Sequence, residues 1–264
     1  MCDSPCEEFA EWAAEMRRRG LVERTIKIRV QQVIDVYATA GGDGVVLRIH
    51  DVRRHCESRG HSQGTLYLYA IAVRDYTRFL LRNTTVDPWD GVRMPRQPKG
   101  RPKPLTDEQV DALLEAVPVH SPAHPYVRFA LYGGLRAKEI AGLRYDDVDR
   151  ERDEITVRGK QEIVETIPLH PELVAYFCQD DGLSGSLFPG VTGNNVSTIV
   201  RHYMKKAGIT GGVHRLRHTY ATRIYRATGD IYITSKALRH QSLAQTSVYA
   251  AMDDDRLRDA IGSV

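Results

Sequence analysis

The stretch that most constrains how this chain folds lies between residues 91 and 105, GVRMPRQPKGRPKPL. It holds four prolines, five basic residues (Arg93, Arg96, Lys99, Arg101 and Lys103) and no acid. Proline lacks the amide hydrogen that helices and inner strands need, and like charges repel, so the segment is expected to be an extended linker. It divides the 264 residues into a unit over 1–92, a basic proline-rich linker over 93–104 and a unit over 105–264. Each unit is long enough to bury a core of its own. The linker is either solvated or laid along a polyanion, and composition alone does not choose between them.

Residues 1–104 carry 18 Lys+Arg against 13 Asp+Glu, whereas residues 105–264 carry 19 against 21, so the overall charge of +3 conceals a basic N-terminal part. Arginine dominates the basic residues; its planar fork suits phosphate, although a coding bias gives the same excess. Apolar runs are far shorter than the ~20 residues a bilayer span needs. The acidic start, Met1–Glu15, lacks the features of a signal peptide, so a cytoplasmic protein is expected. Cys2, Cys6, Cys56 and Cys178 form no CxxC pair and are expected to be free thiols.

Helical spacing of apolar residues runs through the first unit. It predicts helices over Glu7–Arg19, Val22–Ala40, Ile49–Ser58 and Gln63–Arg82. In the second helix Ile26, Val30, Val33, Ile34 and Tyr37 are read as inward. Beyond the linker, Thr106-Asp-Glu-Gln109 is a capping box that opens a helix to Val117. Helices are expected over Pro125–Tyr132, Arg136–Leu143 and Pro171–Gln179, and from Asn195 onward with breaks at Gly208–Gly212, Gly229-Asp230 and near His240. Glu154–Arg158 and Glu165–Leu169 alternate as a hairpin around Gly159-Lys160.

Three segments carry chemistry. In Gly133-Gly-Leu-Arg-Ala-Lys-Glu-Ile140, Arg136 opens a helix and Glu139 shares its face, either as a plain ion pair or as an anchored anion-binding arginine. In His214-Arg-Leu-Arg-His218, the histidines stand at i and i+4, but the general-base Glu of a zinc HExxH motif is missing and no third ligand is evident. A helix start that offers His and Arg to a phosphate fits better. The third segment is Leu238-Arg-His-Gln-Ser242, followed by Tyr249 nine residues past His240.

Taken together, Gly134-Leu135-Arg136 with Glu139-Ile140, Gly159-Lys160, His214-x-Leu216-Arg217-His218, and Leu238-Arg239-His240 with Ser242 and Tyr249 resemble the boxes of the tyrosine recombinase (phage integrase) family in order and spacing. The resemblance covers nearly the whole chain. It implies a mainly α fold with a small β-sheet, a helical core-binding (SAM-like) domain followed by an α+β catalytic domain, the two closing as a clamp on DNA. It implies catalysis by Arg136, Lys160, His214, Arg217, His240 and Tyr249. Tyr249 would attack a phosphodiester to give a 3′-phosphotyrosyl intermediate. His214 is the family's candidate base, His240 a donor to the phosphate, Arg136 and Arg217 its clamp, and Lys160 the acid for the leaving 5′-oxygen.

Because the phosphotyrosyl bond conserves the energy of the phosphodiester, the resemblance implies neither ATP, metal nor any other cofactor. The implied partners are double-stranded DNA core sites and a homo-tetramer on two of them, with accessory DNA-bending or directionality proteins, in the nucleoid of a host cytoplasm. Asp253–Ile261 resembles the short terminal helix that docks on a neighbouring protomer, and there is no room for the arm-binding domain of larger integrases. Arg239 stands where the family usually has glycine, and Ala250-Ala251 follow the tyrosine where a polar residue is frequent; both depart from Xer-type wording and point toward an integrase. The alternatives are a type IB topoisomerase-like activity and a catalytically silent DNA-binding regulator with the same fold.

Overall fold

The computed structural model describes residues 5–42, 45–98, 103–159, 164–177, 183–239, 243 and 246–250. The chain divides into two compact units, Met1–Gly100 and Arg101–Val264.

Among the described residues the N-terminal unit is four helices: α1 (Pro5–Arg18), α2 (Glu23–Ala40), α3 (Ile49–Ser58) and α4 (Gln63–Leu80). Their apolar stripes meet in one core that includes Trp12, Met16, Ile26, Val33, Tyr37, Val52, Val73 and Tyr76. Ile34 departs from expectation and faces solvent, 40% exposed. The buried residues of α2 are Ile26, Val33, Val36 and Tyr37, so Val36 occupies the core-facing stripe and Ile34 falls outside it. Val92 and Met94 pack against this core, so the chain stays with the unit up to the residue before the first linker proline, Pro95.

The C-terminal unit begins with α5 (Asp107–Ala116), opened by the expected Thr106–Gln109 capping box. The central helix α6 (Ala123–Tyr132) buries Tyr126, Val127, Phe129, Ala130 and Leu131. After α7 (Ala137–Ala141) comes a three-stranded antiparallel sheet in the order β1 (Val148–Asp149), β2 (Glu154–Arg158), β3 (Val164–Pro168). The register of the expected hairpin runs from Glu154↔Pro168 to Arg158↔Val164. The two-residue β1 has too few positions to show an alternating pattern and was not expected. Four further helices are α8 (Pro171–Val174), α9 (Gly193–Lys206), α10 (Val213–Thr228) and α11 (Ile231–Leu238), and Ser247–Ala250 form a last turn, α12. The helix expected over Pro171–Gln179 ends at Val174, and that expected over Arg136–Leu143 is only the five residues of α7.

The mainly α fold with a small antiparallel sheet is therefore as the sequence implied. One large core holds α5, α6, α9 and the sheet together with Leu216 of α10. A smaller cluster of Ala221, Leu238 and Tyr249 joins α10, α11 and α12. The entering chain is fastened to α10 as well: Arg215 Nε donates to the Lys103 carbonyl at 2.8 Å, and the Leu105 amide donates to Thr219 Oγ1 at 2.8 Å.

Candidate active site

Arg136 is the N-cap of α7, in extended backbone, and Glu139 one turn on accepts its amide at 2.8 Å and its Nη1 at 2.6 Å. The Arg136 side chain is still 38% exposed, so much of its fork remains open, whereas Glu139 is buried. The preceding turn depends on Gly134. Its φ is +59°, and a Cβ there would lie 2.4 Å from the Tyr220 ring.

The Gly134 carbonyl accepts Nη1 of Arg217, whose Nη2 donates to the Leu238 carbonyl at the end of α11. Arg217 is buried and sits 3.8 Å from Glu139 Oε2. Burial, then the neighbouring Arg136 and Arg239, pulls it down to about 9, so it stays charged at neutral pH. Arg239 completes the group, its Nη2 2.8 Å from the same Oε2. Burial alone would raise the Glu139 carboxyl. Arg239, the Arg136 amide and guanidinium, and Arg217 outweigh it and hold the carboxyl below its ordinary range. Three arginines around one ionised carboxylate leave a surplus of positive charge suited to a phosphate.

Three residues of α10 follow helical spacing, so His214, Arg217 and His218 share a side of it. His214 is exposed, and its ring is held below the usual histidine value by its packed surroundings, Arg217 and Arg136. His218 is turned toward α12, where its Nδ1 lies 2.6 Å from the Tyr249 hydroxyl. Burial, His214 and Arg217 lower the His218 pKa, which favours a neutral ring. Tyr249 is 4% exposed; burial raises its pKa, and Arg217 partly offsets that. The Tyr249 phenol thus lies within hydrogen-bonding distance of an imidazole and close enough to a buried arginine to feel its charge.

The structure thus brings Arg136, Arg217 and Tyr249 into one electrostatic environment, with His214 on the same helix as Arg217. Lys160 and His240 lie outside the described residues, as does Asp253–Ile261. The resemblance implies His214 as the base for Tyr249, whereas the geometry gives its hydroxyl to His218. Sequence reasoning left His218 and Arg239 without a role. Their signals were the i, i+4 spacing to His214 and the presence of arginine where glycine is usual. Among the described residues no three His, Cys, Asp or Glu side chains converge as a metal centre would require. No helix among them is long and apolar enough to cross a membrane.

Comparison with known proteins shows the family. The description "Phage integrase family" matches residues 103–256, more than half of the chain. The tyrosine recombinase XerA of Thermococcus kodakarensis is 31% identical over 97% of this chain and 94% of its own length. Among solved structures, the integrase from mycobacterium phage Brujita is 27% identical, with a TM-score of 0.51 over 94% of this chain and 88% of that one. A lambda integrase tetramer bound to a Holliday junction shares the fold, with a TM-score of 0.70 at 14% identity over 89% of this chain and 77% of that one.

Proposed function

Since the chain belongs to the phage integrase family and is a site-specific tyrosine recombinase, we propose that Tyr249 is the residue that cuts and rejoins duplex DNA. The observation that carries this reading is the hydrogen bond from Tyr249 to His218 beside the Arg136–Glu139–Arg217 cluster.

An unassisted phenol of pKa near 10 is ionised about once in a thousand at pH 7, a deficit of ~4 kcal/mol. In the proposed step the Tyr249 oxygen attacks phosphorus and its proton passes to His218 Nδ1. The bond to the 5′-oxygen breaks, and Lys160 protonates that oxygen as it leaves. Arg136 and Arg217, with His214 and His240, hold the charge on the non-bridging oxygens. The 3′-phosphotyrosyl bond is then attacked by a 5′-hydroxyl of the partner strand, which returns the proton to tyrosine. The basic N-terminal unit and linker supply sequence-independent phosphate contacts. Strand exchange between two sites requires four copies of the chain, in keeping with the tetrameric lambda relative.

A nicked suicide duplex tests the assignment. Wild type is expected to give a covalent adduct on a denaturing gel, and Tyr249→Phe is expected to bind the duplex but give none. An adduct with the Phe variant moves the nucleophile elsewhere, Tyr225 and Tyr232 being nearest in sequence. Relaxation of a plasmid that lacks any recombination site would favour the topoisomerase alternative.

A further inference from the structure

Arg239 follows the last residue of α11 and directly precedes His240. Its backbone is left-handed, with φ 54° and ψ 48°. A Cβ makes that conformation unfavourable, whereas glycine adopts it freely. Among the described residues the other non-glycine with positive φ is Asp153, a short polar residue that tolerates the region. Both Nη atoms of the Arg239 side chain are nonetheless engaged. It is 3% exposed. Nη2 donates to Glu139 Oε2 at 2.8 Å and to the Gly134 carbonyl at 3.4 Å, and Nη1 donates to the Ala237 carbonyl at 3.3 Å. Nε is buried with no partner among the described residues. A strained backbone and an unmatched buried donor both weaken a fold, and residues that carry such liabilities concentrate at functional sites.

Two of its three acceptors say what the residue does. Glu139 is also the anchor of Arg136, and the Gly134 carbonyl is also the anchor of Arg217. Without a third cation the whole carboxylate is free to draw in both phosphate-binding arginines. We propose that Arg239 is a positioning residue. By occupying Glu139 Oε2 and sharing the Gly134 carbonyl, it leaves the Arg136 guanidinium engaged by Oε1 alone and Arg217 at 3.8 Å, so that both keep donors for the scissile phosphate. The inference rests on the assignment of Tyr249 chemistry made above.

Single-turnover adduct formation on the nicked duplex, at saturating protein, tests it in Arg239→Gly, Arg239→Lys, Glu139→Gln and the two double variants. Arg239→Gly is expected to bind the duplex while its rate within the bound complex falls about 10- to 100-fold, the scale of coupling between contacting groups. Arg239→Lys recovers part of the loss, because a cation still reaches the carboxylate. In the Glu139→Gln background, removing Arg239 is expected to change the rate less than about threefold. An acid limb that persists in the His218→Ala background moves to higher pH in Arg239→Gly, since Glu139 loses a cation that holds its pKa down. A wild-type rate in Arg239→Gly overturns the proposal, and so does an equal loss in both backgrounds, which would place Arg239 outside the Glu139 linkage. If Arg239→Gly does not bind DNA, the lysine variant in the two Glu139 backgrounds carries the same comparison, and equal losses there also overturn it. A wild type that forms no adduct removes the Tyr249 assignment and this inference with it.

Discussion

Nδ1 of His218 lies 2.6 Å from the hydroxyl of Tyr249, across the packing of α10 on α12. If Tyr249 is the nucleophile, the tautomer of His218 with Nδ1 unprotonated is its proton acceptor, and burial together with His214 and Arg217 holds the His218 pKa down.

Removing this acceptor is expected to slow cleavage more than binding. His218→Ala should lower the single-turnover rate of adduct formation by about 10²–10⁴, the usual contribution of a positioned acid or base. Affinity for the duplex should stay near wild type in a gel-shift titration. Because the His218 pKa lies below 6.5, the wild-type rate should begin to fall only below that pH, and the variant should lack that limb. If His214→Ala removes the limb and His218→Ala leaves it, the proton goes to His214.

Acid should destabilise the N-terminal unit through His55. The ring is 2% exposed and its Nδ1 is 2.8 Å from Thr39 Oγ1. Burial lowers its pKa, with His61 and Arg59 adding to this and Asp35 opposing it. The unfolded chain then binds a proton that the folded chain refuses, so the contribution is whole above pH 6.5 and is lost as pH falls from 6.5 toward the folded value. Melting followed by circular dichroism should drop between pH 7.5 and 5.5, and His55→Asn should flatten the drop. Parallel pH curves for the two proteins would remove His55 from the account.

Gly134→Ala should cost about 2–4 kcal/mol in urea denaturation, combining a left-handed alanine with a clash against the Tyr220 ring. Adding Tyr220→Ala should return only the steric share. A loss below about 0.5 kcal/mol would mean that the turn relaxes easily, since that is the level of an ordinary surface substitution.

Lys160 can be tested by leaving-group chemistry. Lys160→Ala should slow cleavage by about 10²–10⁴ if the lysine protonates the 5′-oxygen. A 5′-bridging phosphorothiolate leaves as a thiolate and needs no proton. It should restore Lys160→Ala but neither Arg136→Ala nor Arg217→Ala, whose work is on the non-bridging oxygens. Absence of selective rescue, with weakened affinity instead, would make Lys160 a simple DNA contact.

How far the sequence could be read depended on the range of each interaction. The α2 stripe was legible because Ile26, Val33 and Tyr37 repeat at helical spacing, and the Thr106–Gln109 box because both partners lie within one turn. Strand β1 was not, since two residues carry no period. His214 and His218 share a side of α10, and spacing cannot tell which meets a tyrosine 31 residues beyond the second of them. Arg239 registered only as a departure from glycine at a turn. Its ion pair with Glu139 spans 100 positions and exists only once α7 and α11 are brought together.

Helix α10 serves two masters. One side carries His214, Arg217 and His218; from another, Arg215 and Thr219 grip the chain at Lys103 and Leu105 as it enters the unit. Sixteen residues of continuous helix form a rod about 24 Å long that does not bend easily between those sides. On the proposed assignment a tug on the entering chain is delivered to the rod that bears the reactive groups, which makes the end of the tether mechanically part of the catalytic apparatus.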